Sequence, residues 1–198
     1  MIEEGLDFDC EGAHRFPALE SFAWIGTLHY DYTPTPLHTW WGCINWSKLR
    51  TLNLGRGKAT ELFFTDMTGH LNGLKHLSLF VDMFRPDRVG SEDEALNIFS
   101  AFLRAIEGLE ILRLVGPGLS VIVPTILSCH AQTLETLSFQ YTGDEPPWTG
   151  DMCMDVLGQA PKLLGLTVGM GASKLEGNWS STRKVWTPEA KYESMTLT

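Results

Sequence analysis

One arrangement of apolar and polar positions recurs along the chain: apolar-x-x-apolar-x-apolar. Its clearest copies are Leu49-Arg-Thr-Leu52-Asn-Leu54, Leu74-Lys-His-Leu77-Ser-Leu79 and Leu109-Glu-Ile-Leu112-Arg-Leu114. Leu134-Glu-Thr-Leu137-Ser-Phe139 and Leu163-Leu-Gly-Leu166-Thr-Val168 follow in the same form. Looser copies run from Leu19 to Trp24 and from Tyr192 to Leu197. The second half of each copy alternates apolar with polar residues, which is the period of a half-buried strand. A single such strand cannot bury its apolar row alone, so the copies must stack side by side.

The stretches between copies alternate with the strands and several carry helical spacing. Ala95–Ile106 is apolar at helical intervals, follows the acidic turn Ser91-Glu92-Asp93-Glu94, and stops at Gly108. Val121–His130 predicts a second helix, with Pro124 acceptable in its first turn. Asp151–Gly158 predicts a third, ending before Pro161, and Thr65–Leu71 a short, weaker one. Strands alternating with helices imply parallel neighbours joined by crossovers.

The first positions of successive copies are 30, 25, 35, 25, 29 and 29 residues apart. Five near-perfect copies at that spacing make the chain similar to leucine-rich repeat proteins, whose units run to about 20–29 residues. The irregular lengths resemble the degenerate repeats of F-box proteins, especially the large fungal sets. Phe16-Pro17-Ala18-Leu19 and Ala160-Pro161-Lys162-Leu163 have the helix-end, proline, strand form common there. The resemblance implies a right-handed α/β leucine-rich repeat solenoid of about seven parallel strands, with helices or irregular segments on the outer face. Residues 1–18 are expected to be an N-terminal cap or flanking segment and residues 19–198 one continuous repeat domain. The first 18 residues contain no F-box-like run, so a cullin-type ligase adaptor is an expected partner only if an F-box lies outside this chain. The resemblance is one of fold and not of a site.

Composition adds bounds. The chain has 198 residues, 43% of them hydrophobic and 20% charged, as expected of a globular domain. A formal net charge of -9 argues against a nucleic-acid partner held by bulk attraction to phosphates. No apolar stretch approaches a membrane span, and the acidic start has no apolar leader segment. The expected setting is therefore cytoplasmic or nuclear. Cys10, Cys43, Cys129 and Cys153 are far apart, and in that setting they are expected to be reduced thiols. The sequons at Asn45 and Asn178 are then read as chance.

Candidate chemistry is sparse. Gly55-Arg-Gly-Lys-Ala-Thr60 lacks the spacing of a phosphate loop and follows a repeat strand as a turn would, and none of the six histidines falls in a metal-binding pattern. No catalytic, cofactor-binding or metal residue is assigned. The reading is a non-enzymatic scaffold for protein partners. Its expected form is the substrate-recognition repeats of an F-box-type ubiquitin-ligase receptor; the alternative to a scaffold is a hydrolase-like enzyme whose site has no recognisable motif.

Stacked copies would line up the polar positions between the buried leucines. The middle column is Ala23, Asn53, Ser78, Arg113, Ser138, Thr167, Thr196. It is flanked by Ser21, Thr51, His76, Ile111, Thr136, Gly165, Ser194 on one side and Ile25, Gly55, Phe80, Val115, Gln140, Gly169, Thr198 on the other. From these columns His76, Phe80, Arg113 and Gln140 are the candidate contacts. The segments leaving three strands add Tyr30, Tyr32, Phe84, Arg85, Tyr141 and Trp148, because aromatics and arginine dominate interface energetics. The stretch from Gly171 to Lys191, rich in Gly, Ser and Thr, reads as a long connection with weak helical character. The chain stops on the seventh copy, and its last strand is expected to be poorly ordered, paired with another chain, or the truncated edge of a longer array.

Overall fold

A computed structural model describes residues 16–23, 42–59, 61–81, 92–141 and 149–169, and the strands at 178–180, 185–187 and 194–197. The fold is α/β. Each apolar-x-x-apolar-x-apolar copy from the first to the sixth becomes a strand: β1 Ser21–Ala23, β2 Thr51–Ala59, β3 His76–Val81, β4 Ile111–Gly116, β5 Thr136–Tyr141 and β6 Gly165–Gly169. They form one sheet in chain order, every neighbouring pair parallel.

The register follows the repeat. Phe22, Leu52, Leu77, Leu112, Leu137 and Leu166 are partners across the sheet, and all six are buried. Leu79, Leu114, Phe139 and Val168 form a second buried row. The first leucine of the copy also turns inward: Leu49, Leu74, Leu109 and Leu134 are fully buried. The copies are joined just before the strands. Each second-position carbonyl accepts two N–H groups from the next copy, as Arg50 O does from Lys75 and His76, and Glu110 O from Glu135 and Thr136. The same ridge satisfies turn carbonyls with cations: Arg50 donates to Gly73 O at 2.8 Å and Lys75 to Gly108 O at 2.9 Å. Lys75 also pairs with Glu110 at 3.2 Å.

Helices alternate with the strands: α1 Glu61–Met67, α2 Glu92–Arg104, α3 Val123–His130 and α4 Gly150–Gln159. The apolar face of α2 contributes buried Phe99, Phe102 and Leu103 to the same core as the strand leucines. Phe63 and Phe64 of α1 meet it there. Phe64 stands 5.1 Å from Phe99 and 5.0 Å from Phe102, ring centre to ring centre and edge to face, the geometry aromatic pairs prefer. Proline sits at the start of α3, where its missing N–H costs nothing, and a 3-10 turn over Leu119–Ile122 leads into it. The Thr149 hydroxyl caps α4 by accepting from Met152 N. The helix expected over Thr65–Leu71 instead starts at Glu61 and stops before Gly69, whose φ is +82°. Its apolar run Leu62-Phe63-Phe64 was outside the predicted span because the Gly55–Thr60 stretch before it read as a turn.

Three expectations are overturned. The seventh strand is not parallel: β9, Ser194–Leu197, pairs antiparallel with β6 inside the chain. A parallel neighbour requires a crossover. The stretch expected to be a long connection with weak helical character instead carries the antiparallel pair β7, Asn178–Ser180, and β8, Val185–Thr187. Next, β2 continues through Gly55, and its register against β3 shifts, Asn53 facing Ser78 but Lys58 facing Phe80. This is a bulge in the strand where a turn was expected. Finally, Cys43 is disulfide-bonded, whereas Cys129 and Cys153 are free thiols. Cys43 is fully buried beside the bridge between Phe16 and Ile44, with its carbonyl accepting from Phe16 N at 2.9 Å. Spacing along the chain carried no information on that close approach. Among the described residues no helix is long and apolar enough to cross a membrane.

Candidate interaction surface

The sheet has one buried face and one partly exposed face. Along β3 and β4 buried residues alternate strictly with partly or fully exposed ones. The outward residues of β3, β4 and β5 form a three-by-three block in register. Its rows are His76, Ile111, Thr136; then Ser78, Arg113, Ser138; then Phe80, Val115, Gln140. From strand spacing and rise, the block measures about 10 Å across the strands and about 13 Å along them. All four candidates that the columns nominated therefore lie in one patch. His76 and Phe80 are half-buried on β3, and Arg113 and Gln140 are exposed on β4 and β5.

Arg113 occupies the centre. Among the described residues its side chain makes no hydrogen bond or ion pair. Its neighbours across the sheet are Ser78 and Ser138, and its neighbours along β4 are Ile111 and Val115. Long side chains beside short hydroxyls leave the guanidinium unobstructed, with five N–H donors to offer. At one corner, the Thr51 hydroxyl lies 3.4 Å from the His76 ring. Ile111 and Val115 belong to the surface as much as the four candidates do. They went unselected because an apolar residue in a strand reads first as core, and the available signal was their column, shared with His76 and with Phe80.

Two of the expected columns need correction at their ends. Lys58 occupies the register position opposite Phe80 that was assigned to Gly55, because of the bulge in β2. Ser194 lies opposite Gly169 and not in line with Gly165, because β9 runs the other way. The middle column keeps its expected last pair, Thr167 with Thr196. Among the strand-leaving candidates, Tyr141 is the last residue of β5, paired with Gly116. Tyr30, Tyr32, Phe84, Arg85 and Trp148 lie outside the described residues.

On the helical side, Arg104, Ile106, Ser128, Cys129 and His130 line an open depression of about 370 Å³. Its chemistry is muted. The His130 ring is buried and its Nε2 lies 3.1 Å from the Leu103 carbonyl. Burial holds its pKa below the ordinary histidine value, against a weaker opposing pull from that carbonyl. Ser128 donates to Thr125 O at 2.8 Å. No hydrogen bond joins Cys129 to His130, so the pair is not arranged as nucleophile and base. Nor do three or more His, Cys, Asp or Glu gather into a metal-binding group among the described residues.

Comparison with known proteins finds no matching family model, no matching curated protein and no matching solved structure.

Proposed function

We propose that the chain is a leucine-rich repeat solenoid that serves as a non-enzymatic scaffold for a protein partner, docked on the outward face of β3–β5. The observation that carries this reading is the central block: an unpaired, exposed arginine ringed by hydroxyl and half-buried apolar side chains on a regular sheet. Arginine and aromatic residues surrounded by near-neutral contacts are the usual anchors of interfaces. The repeat style supports one specific form, the substrate-recognition part of an F-box-type receptor. The disulfide at Cys43 favours a different setting for the same scaffold, because disulfides persist in oxidising compartments.

Affinity capture from the source cells tests the scaffold. Wild-type protein should retain a partner that Arg113→Glu loses and that Leu62→Glu, an exposed position on α1, retains. Equal capture by all three would exclude the sheet face. Alkylation of the protein taken directly from its source distinguishes the two settings. Four reactive thiols after denaturation fit the receptor form, and two fit the oxidising compartment.

A further inference from the structure

The chain carries a formal charge of -9. Yet the outward positions of β1 to β6, from Ser21 to Thr167, include no Asp or Glu. The central charge of the block is positive, and among the described residues it has no ion-pair partner. Its two cross-strand neighbours, Ser78 and Ser138, are hydroxyl donors one strand away on either side. A guanidinium fork flanked by hydroxyls suits a carboxylate, which accepts two parallel N–H bonds from arginine. Above and below Arg113 on the same strand stand Ile111 and Val115, both half-buried. These three positions are two residues apart. An extended segment has the same repeat, about 6.6–6.8 Å between side chains on one face.

Resting on the reading of this face as a docking surface, we infer that it takes an extended acidic peptide segment of a protein partner, of the form aliphatic-x-Asp/Glu-x-aliphatic, with the carboxylate on Arg113 and the aliphatic side chains on Ile111 and Val115. The spacing gives register, and the charge selects acid over its amide. Because the arginine is exposed, salt weakens the contact, and specificity rests on charge and register together.

The test is a selection of phage-displayed random twelve-residue peptides on the whole chain, repeated on Arg113→Glu and Arg113→Gln. Recovered sequences are then synthesised with Glu, Gln or Lys at the selected acidic position and titrated by fluorescence anisotropy. The inference expects enrichment of the acid-centred motif on the wild type. It expects about tenfold weaker binding to Arg113→Glu, intermediate binding to Arg113→Gln, and affinity that falls as sodium chloride rises. Arg113 is exposed and, among the described residues, its side chain makes no hydrogen bond or ion pair, so the variants should keep the wild-type thermal midpoint. Peptides lacking an acid that bind all three Arg113 forms equally, but lose binding with Val115→Asp, would overturn the acidic specificity and leave the docking surface standing. Peptides insensitive both to the Arg113 variants and to Val115→Asp, or no peptides at all, would overturn the docking surface as well.

Discussion

Gly116 offers the sharpest test of how the strands are packed. It closes β4 with φ at +154°, a conformation that side chains with a Cβ rarely adopt. A Cβ built there would stand 2.0 Å from the carbonyl oxygen of Val81 and 3.0 Å from its carbonyl carbon, on the backbone of the neighbouring strand β3. Relief requires the backbones to part by about 1.5 Å, since ordinary contacts begin at about 3.5 Å. Gly116→Ala therefore combines backbone strain of about 1–3 kcal/mol with an overpacking cost of about 1–3 kcal/mol. The expected loss is about 2–6 kcal/mol, a large fraction of the roughly 5–15 kcal/mol typical of a domain. Gly69→Ala supplies the matched control. It also has positive φ, +82°, but nothing lies within 4 Å of its would-be Cβ. Only the left-handed penalty of about 1–2 kcal/mol applies there. Urea unfolding followed by far-ultraviolet circular dichroism measures both. If Gly116→Ala is no more damaging than Gly69→Ala, the close approach of β4 to Val81 is wrong.

Three further outcomes are expected. Phe64→Ala removes a fully buried ring that touches Phe99 and Phe102 and should cost about 3–5 kcal/mol in the same urea assay. His130, with its pKa lowered by burial, binds a proton more readily unfolded than folded. Its contribution is thus fully present above the unfolded value of about 6.5 and declines as pH falls through that value toward the lowered one. The wild type should lose more stability than His130→Gln between pH 7.5 and pH 5, and parallel losses would refute the assignment. Burial pushes the Cys153 thiol up to about 11, so in the folded protein at pH 8 a thiol reagent should modify partly exposed Cys129 well before Cys153; equal rates would contradict that burial.

How much of this was legible beforehand follows from how far apart the interacting residues lie. The six parallel strands and the identity of their buried rows were readable, because an apolar-x-x-apolar-x-apolar copy at near-constant spacing encodes both the strand and its partner's register. The helices over α2, α3 and α4 were readable for the same reason, each being a local apolar period bounded by a cap, a proline or a glycine. The gathering of His76, Phe80, Arg113 and Gln140 into one patch followed once the columns were aligned. Other features depended on contacts that no local pattern records. The bulge in β2 is decided by how Asn53 and Lys58 meet β3. The reversal of β9 follows from the chain returning to β6 from the opposite end. The close approach of β4 to Val81, the disulfide at Cys43 and the absence, among the described residues, of a hydrogen-bond or ion-pair partner for the Arg113 side chain are likewise properties of space. By itself the sequence determined the repeating unit and which side of each strand is buried, since hydrophobic burial acts through local periodicity. Only the tertiary structure decided where the repetition breaks and which charge stands unpaired on the open face, because those depend on residues that meet only after the strands have stacked.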